Sequence, residues 1–365
     1  MKQEKVNKNN NMGTLHLLGA LFVMYGHQCS MLQYPGAVYF GNVLIHAMGV
    51  KIIFLISGYL IVKSLMSDRN GRVRGGAIYC IKRLGRIYPE LLVCLLITAL
   101  VIGPLFSTLT TAEYFADPLV SFYIRRNLAL FPVFVLPGVF LENPYYGAVN
   151  GSLWTIPVEI AMYLLILLIF LCARGKKARK IIYTIITVFV VVGSILRFAL
   201  APASVWPWYG TDWAQALNIA PYFLIGGLAY FYDIKKYLSV QKSAFLFLAF
   251  AAIPIPNIAI CETLCMFVIS YFILSLMLAD NQNLKLKFIK GEYAYGMYLW
   301  GFPVQQCVVQ KLFVEQGMAW HPFVYFCISA VITYLIAMVS YHVVYEPVSK
   351  LIRMAVKAIA KEKTI

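Results

Sequence analysis

Charged residues are scarce in this sequence. Only 13% of its 365 residues are Asp, Glu, Lys or Arg, and 61% are hydrophobic. Soluble domains carry about 25% charged residues, and here no polar stretch is long enough to form one. A soluble core could not bury this much apolar surface, so the composition predicts a protein whose outer surface is solvated by lipid.

Acidic residues are scarcer than basic ones. The sequence has 15 Asp and Glu and 31 Lys and Arg, which gives a net charge of +16. The basic residues occur in short clusters between apolar runs. This is the pattern of loops retained on the cytoplasmic side of a membrane. It favours membrane lipid over nucleic acid as the partner.

Several chemical signatures are also missing. The sequence has neither a Cys-x-x-Cys motif nor the His-rich spacing of a metal site, so no metal ligand is predicted. Most of the eight cysteines lie in apolar runs, where a thiol behaves as a small hydrophobic group. Pairing of Cys261 with Cys265 is a minor alternative. We find no internal repeat.

The apolar runs predict an all-α fold, a polytopic membrane bundle of about ten transmembrane helices. A crossing needs about 20 apolar residues. Leu128–Leu141 is short and contains two prolines, which favours a re-entrant or interfacial segment. The predicted crossings are Thr14–Met31, Ala47–Leu65, Ile87–Phe106, Leu153–Ala173, Ile181–Ala201, Ala214–Tyr232, Ala244–Ile258, Cys261–Ala279, Tyr293–Phe313 and Pro322–Tyr345.

The distribution of charge supports ten crossings with both termini in the cytoplasm. In that topology most basic residues fall inside, and the outer loops carry only Arg125 and Arg126. The first apolar run lacks a small-x-small cleavage site, so it is interpreted as a retained helix. Residues 1–365 then form one membrane domain, with residues 1–12 and 346–365 as cytoplasmic tails.

Several ionisable residues lie inside predicted crossings, where a charge is costly and calls for a reason. His27, Lys51 and Glu159 fall near one depth, toward the outer side. One interpretation is a structural Lys–Glu pair between two helices. The interpretation we favour is a polar chamber in which His27 accepts a proton from an attacking hydroxyl, since imidazole titrates near neutral pH.

A second cluster lies at the predicted cytoplasmic mouth. Arg83 and Arg86 are three residues apart, so they share a helix face and can bind a phosphate together. The alternative is that they only mark the cytoplasmic side. His16 precedes His27 by 11 residues, which places both on one face about 16 Å apart. A phosphate-bearing donor could therefore bind at the mouth and extend inward past His16.

Two features have more than one interpretation. Ser57 lacks the Gly-x-Ser-x-Gly context of a hydrolase nucleophile, so packing is favoured, with a substrate contact as the alternative. The segment around Trp206, Trp208, Tyr209 and Trp213 is typical of an aromatic belt at the membrane interface. Its alternative is a stacking surface for a sugar.

Six segments, in order along nearly the whole chain, resemble the acyltransferase-3 family of bacterial membrane acyltransferases. The first segment ends at His27 and the second spans Gly49–Ile61. Arg83–Pro89 is similar to an Arg-x-x-Arg motif, and Trp154 through Glu159 to Tyr163 is similar to a Trp-to-Glu motif. The last two are Ala294 through Trp300 to Pro303, and Glu346-Pro347.

The resemblance implies O-acylation of an exported, cell-envelope or lipid-linked carbohydrate at a bacterial inner membrane. The donor substrate would be acetyl-coenzyme A or another acyl-coenzyme A, with no permanently bound cofactor. His27 and Glu159 would be catalytic, and Arg83, Arg86 and His16 would bind the donor. Lys51, Trp154 and Ser57 would contact substrate. The family usually has Arg at the position of His16 and Asp at that of Lys51.

Two other functions remain open. Polar groups at mid-depth and interrupted helices also suit a transporter, although the chain lacks paired interrupted helices in related halves. A scaffold for envelope assembly is the third possibility. Neither the oligomeric state nor the acyl group follows from the sequence.

Overall fold

The computed structural model describes residues 11–36, 38–68, 70–278 and 291–361. Within these ranges the chain forms α-helices joined by short 3-10 and π turns, and two hairpins. The helices are α1 (Met12–Met31), α2 (Ile45–Met66), α3 (Arg72–Ile97), α4 (Gly103–Phe106), α5 (Thr111–Ala116), α6 (Pro118–Leu128), α7 (Thr155–Cys172), α8 (Gly175–Leu200), α9 (Trp213–Phe231), α10 (Val240–Ala252), α11 (Ile258–Leu278), α12 (Ala294–Val308), α13 (Pro322–Ser340) and α14 (Glu346–Lys361). The strands are β1 (Tyr39–Phe40), β2 (Val43–Leu44), β3 (Pro207–Trp208) and β4 (Thr211–Asp212), paired antiparallel as β1–β2 and β3–β4.

In the described part of the chain, six helical segments are long and apolar enough to cross a membrane. These are Ile45–Met66, Arg72–Phe106, Gly151–Cys172, Gly175–Leu200, Ile258–Leu278 and Pro322–Ile359. Helices lie at the other four predicted crossings as well, but they are shorter or less apolar. The protein is thus a helical, multi-pass membrane protein, while ten crossings and cytoplasmic termini stay predictions. Residues 1–10, Ala279 and 362–365 lie outside the described residues.

Helix α2 packs closely against α1 on one side and α9 on the other. A Cβ atom on Gly19 of α1 would lie 3.0 Å from the Gly49 carbonyl oxygen of α2. A Cβ atom on Gly58 would overlap the Phe223 carbonyl of α9. Small residues allow such close approach of membrane helices, where lipid gives no hydrophobic drive for association. Helix α2 is therefore central, and its Lys51 side chain is buried in the interior.

Prolines shape two segments, and one of them falls short of the predicted crossing at Ala244–Ile258. Helix α10 ends at Ala252, just before Pro254 and Pro256, so it has only 13 residues and is too short to cross a bilayer by itself. Residues 129–150 contain no helix. They form an irregular loop fixed by Asn127, whose side chain donates to the Val133 carbonyl at 3.0 Å and accepts from the Val133 amide at 3.1 Å.

Candidate active site

Four cavities form a row in which each shares wall residues with the next, and α2 contributes to the first three. The basic cavity (about 680 Å³) is lined by Lys82, Arg83, Arg86, Arg353 and Lys357, among others. The His16 cavity (about 250 Å³) is lined by His16, Ser57, Arg83, Arg86, Glu159 and Tyr163. The His27 cavity (about 400 Å³) is lined by His27, His46, Lys51, Trp154, Asn218 and Glu262. The aromatic cavity (about 650 Å³) is lined by Phe131, Tyr145, Trp154, Trp208 and Tyr209.

The basic cavity lies between α3 and the C-terminal helix α14. Arg83 and Arg86 also line the His16 cavity, so they form the neck between the two. Among the described residues, the buried Arg83 Nε has no hydrogen-bond partner. The Arg86 guanidinium lies 4.7 Å from the centre of the Tyr345 ring. An unpaired guanidinium donor among further cations is suited to binding an anion such as phosphate.

The His16 cavity is mostly apolar, with one polar wall. His16 Nε2 lies 3.5 Å from Ser57 Oγ, which joins α1 to α2. The Tyr163 hydroxyl donates to the Glu159 carboxylate on α7. The cavity thus offers an apolar path that begins at the two arginines and ends at the wall shared with the His27 cavity.

The His27 cavity holds a mixed lining of ionisable, amide and aromatic groups. The His27 ring faces His46 at a centroid distance of 5.9 Å and the edge of Phe302 at 5.3 Å. Amide side chains from α9 and Trp154 complete the walls. Such a combination can bind a hydroxylated ligand and accept a proton from it.

Tyr298 and Val50 line both the His16 cavity and the His27 cavity. The hydroxyl groups of Tyr298 and Thr155 lie 2.8 Å apart, and the Tyr298 hydroxyl lies 3.4 Å from the Ser152 carbonyl oxygen. These contacts fix the ring in place. Tyr298, together with Val50, therefore forms the wall at which the two cavities meet.

Lys51 forms an ion pair, but with a different partner from the one considered from the sequence. Its Nζ lies 2.5 Å from Glu262 Oε2 on α11, and its side chain is 2% exposed. Glu262 was not singled out in the sequence. The pair joins α2 to α11, and both residues line the His27 cavity.

The expected chamber of His27, Lys51 and Glu159 forms only in part. His27 and Lys51 share a cavity, but Glu159 lines the His16 cavity, beyond the wall that contains Tyr298. Position along a helix gives depth only when the helix is upright, and packing sets its tilt. The structure therefore places Glu159 beside Tyr163, in a cavity that His27 does not line.

Several cavity residues were missed by the sequence interpretation. Arg353 and Lys357 of α14 were assigned only to a basic tail, although their spacing of four places them on one face. His46 and Gln215 were given no role because nothing in the sequence connects them to His27. In the described ranges, no group of three or more His, Cys, Asp or Glu side chains is arranged to hold a metal ion.

Comparison with known proteins identifies a family and relatives that this chain resembles. A family model described as "Acyltransferase domain" matches residues 12–342. The chain is 25% identical over 311 residues to an "O-acetyl transferase" of Shigella phage Sf6, covering 84% of this chain and 88% of the relative. It is 30% identical over 187 residues to "Nodulation protein 10" of Rhizobium leguminosarum bv. viciae, covering 48% of each. No solved structure matches the chain.

Proposed function

Because the chain belongs to the acyltransferase-3 family, we propose that this membrane acyltransferase moves an acyl group, most simply acetyl, from acyl-coenzyme A to a carbohydrate hydroxyl. The acceptor is a cell-envelope polysaccharide or lipid-linked glycan, and the membrane is the inner membrane of a bacterium. The observation that carries the proposal is the row of cavities, which connects a cluster of cations to His27.

The donor enters by its thioester end and is held by its phosphates. Coenzyme A carries its phosphates at the nucleotide end and its thiol at the tip of a narrow pantetheine arm. Phosphates in the basic cavity would contact Arg83 and Arg86 at the neck, with Arg353 and Lys357 alongside. The arm then lies in the mostly apolar His16 cavity, and the acyl group reaches the wall at Tyr298.

The acceptor enters from the opposite end of the row. A sugar presents hydroxyl groups at its edges and an apolar face of C–H bonds. The His27 cavity offers partners for both: the amides of Gln215 and Asn218 for hydroxyl groups, and Trp154 for the apolar face. This arrangement places an acceptor hydroxyl against His27.

His27 acts as the general base. Its imidazole takes the proton of the acceptor hydroxyl as the oxygen attacks the thioester carbonyl. The carbon–sulfur bond then breaks, the ester remains on the sugar, and the thiolate takes the proton from the imidazolium. In the variant with a covalent intermediate, the imidazole nitrogen attacks the thioester first and passes the acyl group to the hydroxyl. Both routes require His27.

Glu159 contributes to donor binding in this arrangement. It lies close enough to Arg83 and Arg86 for electrostatic interaction, and the Tyr163 hydroxyl fixes its carboxylate. The carboxylate would hold the two guanidinium groups in the neck. His16 and Ser57 form the adjoining wall, where they contact the pantetheine arm.

The test is acyl transfer by the purified protein in nanodiscs, supplied with radiolabelled acetyl-coenzyme A and a lipid-linked glycan extract. Wild type transfers label to glycan, and His27→Ala does not. His321→Ala is the matched control, because His321 lies outside the four cavities and contacts Tyr34. Label transfer by a folded His27→Ala protein at the wild-type rate would overturn the proposal.

A transporter is the second candidate, and the row of cavities favours it as well, since a transported solute also needs a path. Uptake of sugar or acyl compound into proteoliposomes without an acyl donor would support this function. Label transfer that depends on His27, without uptake, would support the transferase.

A further inference from the structure

The aromatic cavity adjoins the His27 cavity and is not required for the chemistry at His27. The two cavities share Tyr145, Gly151, Trp154 and Gln215. An acceptor bound at His27 therefore has a direct continuation into the aromatic cavity. At about 650 Å³, that cavity is larger than the His27 cavity and has room for a further ring.

The β3–β4 hairpin builds one wall of the aromatic cavity. Its turn consists of Tyr209 at φ 51° and Gly210 at φ 71°. Two successive residues with positive φ are typical of tight hairpin turns, and Gly adopts this conformation without strain. Trp208 and Tyr209, at the turn, line the aromatic cavity together with Trp154.

Hydrogen bonds hold the hairpin against the rest of the protein. The Tyr209 hydroxyl donates to the Ala129 carbonyl at 2.8 Å, and the Thr211 hydroxyl donates to the Trp154 carbonyl at 2.8 Å. The Trp213 indole N–H donates to the Trp208 carbonyl at 3.0 Å. The aromatic rings are therefore pre-organised, which lowers the entropy cost of binding a ligand between them.

Position distinguishes Trp208 from Trp206 in the same loop. Trp208 lines the aromatic cavity, whereas Trp206 does not. A belt residue needs only a position at the interface. The cavity also contains the polar side chains Thr211, Asp212 and Gln215, which suit a hydroxylated ligand better than a lipid tail.

We propose that the aromatic cavity binds a second sugar ring of the acceptor, stacked on Trp208 and Tyr209. The acceptor is then an oligosaccharide or polysaccharide of two or more residues, because the reacting sugar occupies the His27 cavity and its neighbour the aromatic one. This inference rests on the proposed function for its reacting sugar. The aromatic cavity sets the preference for length and contributes binding, not chemistry.

The experiment compares wild type, Trp208→Ala, Trp208→Phe and Trp206→Ala in nanodiscs. Acceptors are fluorescent oligosaccharides of increasing length, starting from one residue, released from a lipid-linked glycan extract. Trp208→Ala should raise the KM for longer acceptors about tenfold with an unchanged kcat. It should leave the single-residue acceptor unaffected. Trp208→Phe should restore part of the loss, because a stacking face returns, and Trp206→Ala should match wild type.

Equilibrium binding of the same oligosaccharides, measured without acyl donor, keeps this test separate from the proposed function. Binding that increases with acceptor length and is weakened by Trp208→Ala would support the inference, whether or not wild type transfers an acyl group. Absence of acyl transfer by wild type would count only against the proposed transferase function. Three results would overturn the inference: no oligosaccharide binding by wild type, equal effects of Trp206→Ala and Trp208→Ala, or a Trp208→Ala defect that changes with lipid composition instead of acceptor length.

Discussion

Lys51 and Glu262 form a buried ion pair, with 2.5 Å between Nζ and Oε2. The two residues lie 211 positions apart in the sequence, and their pair links α2 to α11. The Lys51 side chain is 2% exposed and that of Glu262 is 15% exposed. The ammonium also lies 5.6 Å from the centre of the Tyr222 ring. A buried pair of this kind is costly to break because the remaining charge has no partner.

Lys51→Met should therefore destabilise the protein by about 3–5 kcal/mol, since it leaves the Glu262 carboxylate uncompensated. The double variant Lys51→Met with Glu262→Gln removes both charges and should recover most of that loss. Thermal and denaturant unfolding in nanodiscs would measure both effects. Equal stability of the single variant and wild type would show that the pair is not coupled.

Gly58→Ala should destabilise the contact between α2 and α9, because the added methyl group overlaps the Phe223 carbonyl. Overpacking of this kind costs about 1–3 kcal/mol. Gly193→Ala in α8 is the matched control, because a Cβ atom there meets nothing within 4 Å. The control should be neutral or slightly stabilising, and unfolding midpoints of the two variants would decide the comparison.

Arg353→Gln should weaken donor binding, because it removes a cation from the basic cavity. We expect a loss of about 1 kcal/mol, or roughly a fivefold higher Kd for acetyl-coenzyme A. Lys350→Gln on the same helix is the control, since Lys350 pairs with Glu346 at 3.1 Å and does not line the cavity. Titration calorimetry at two salt concentrations would measure both variants. A similar Kd for both would indicate that the phosphates bind elsewhere.

Tyr298→Ala should open the wall between the His16 and His27 cavities. Water could then reach the thioester, so we expect faster hydrolysis of acetyl-coenzyme A without acceptor and slower transfer to glycan. Tyr298→Phe retains the ring and loses only the hydroxyl contacts with Thr155 and Ser152. It should stay close to wild type in hydrolysis. Release of free thiol over time would distinguish the two variants.

The family and the helical membrane architecture were predictable from sequence patterns. Six motifs in order identified the family, and the family match over residues 12–342 confirms it. Apolar runs predicted where the helices lie, as α2, α7 and α11 illustrate. The crossing predicted at Ala244–Ile258 is cut short before Pro254 and Pro256, since proline cannot continue a helix.

The composition of the site was only partly predictable. The expectation that His16, Arg83 and Arg86 lie near one another agrees with their shared cavity, while their roles stay predictions. Glu159 and His27 line adjoining cavities and not one, because sequence distance gives depth but neither tilt nor the direction that a side chain faces. Arg353 was missed because α14 returns to α3 only through tertiary packing.

The sequence by itself determined that lipid surrounds this protein, where its helices lie and which family it belongs to. It could do so because hydrophobic runs and local motifs extend over only a few helical turns. Only the tertiary structure decided which side chains meet. The Lys51–Glu262 pair, the boundary at Tyr298 and the aromatic cavity lined by Trp154 and Trp208 all join distant parts of the chain. Such contacts depend on helix rotation, tilt and close approach at small residues, and these are properties of the packed bundle rather than of any one segment.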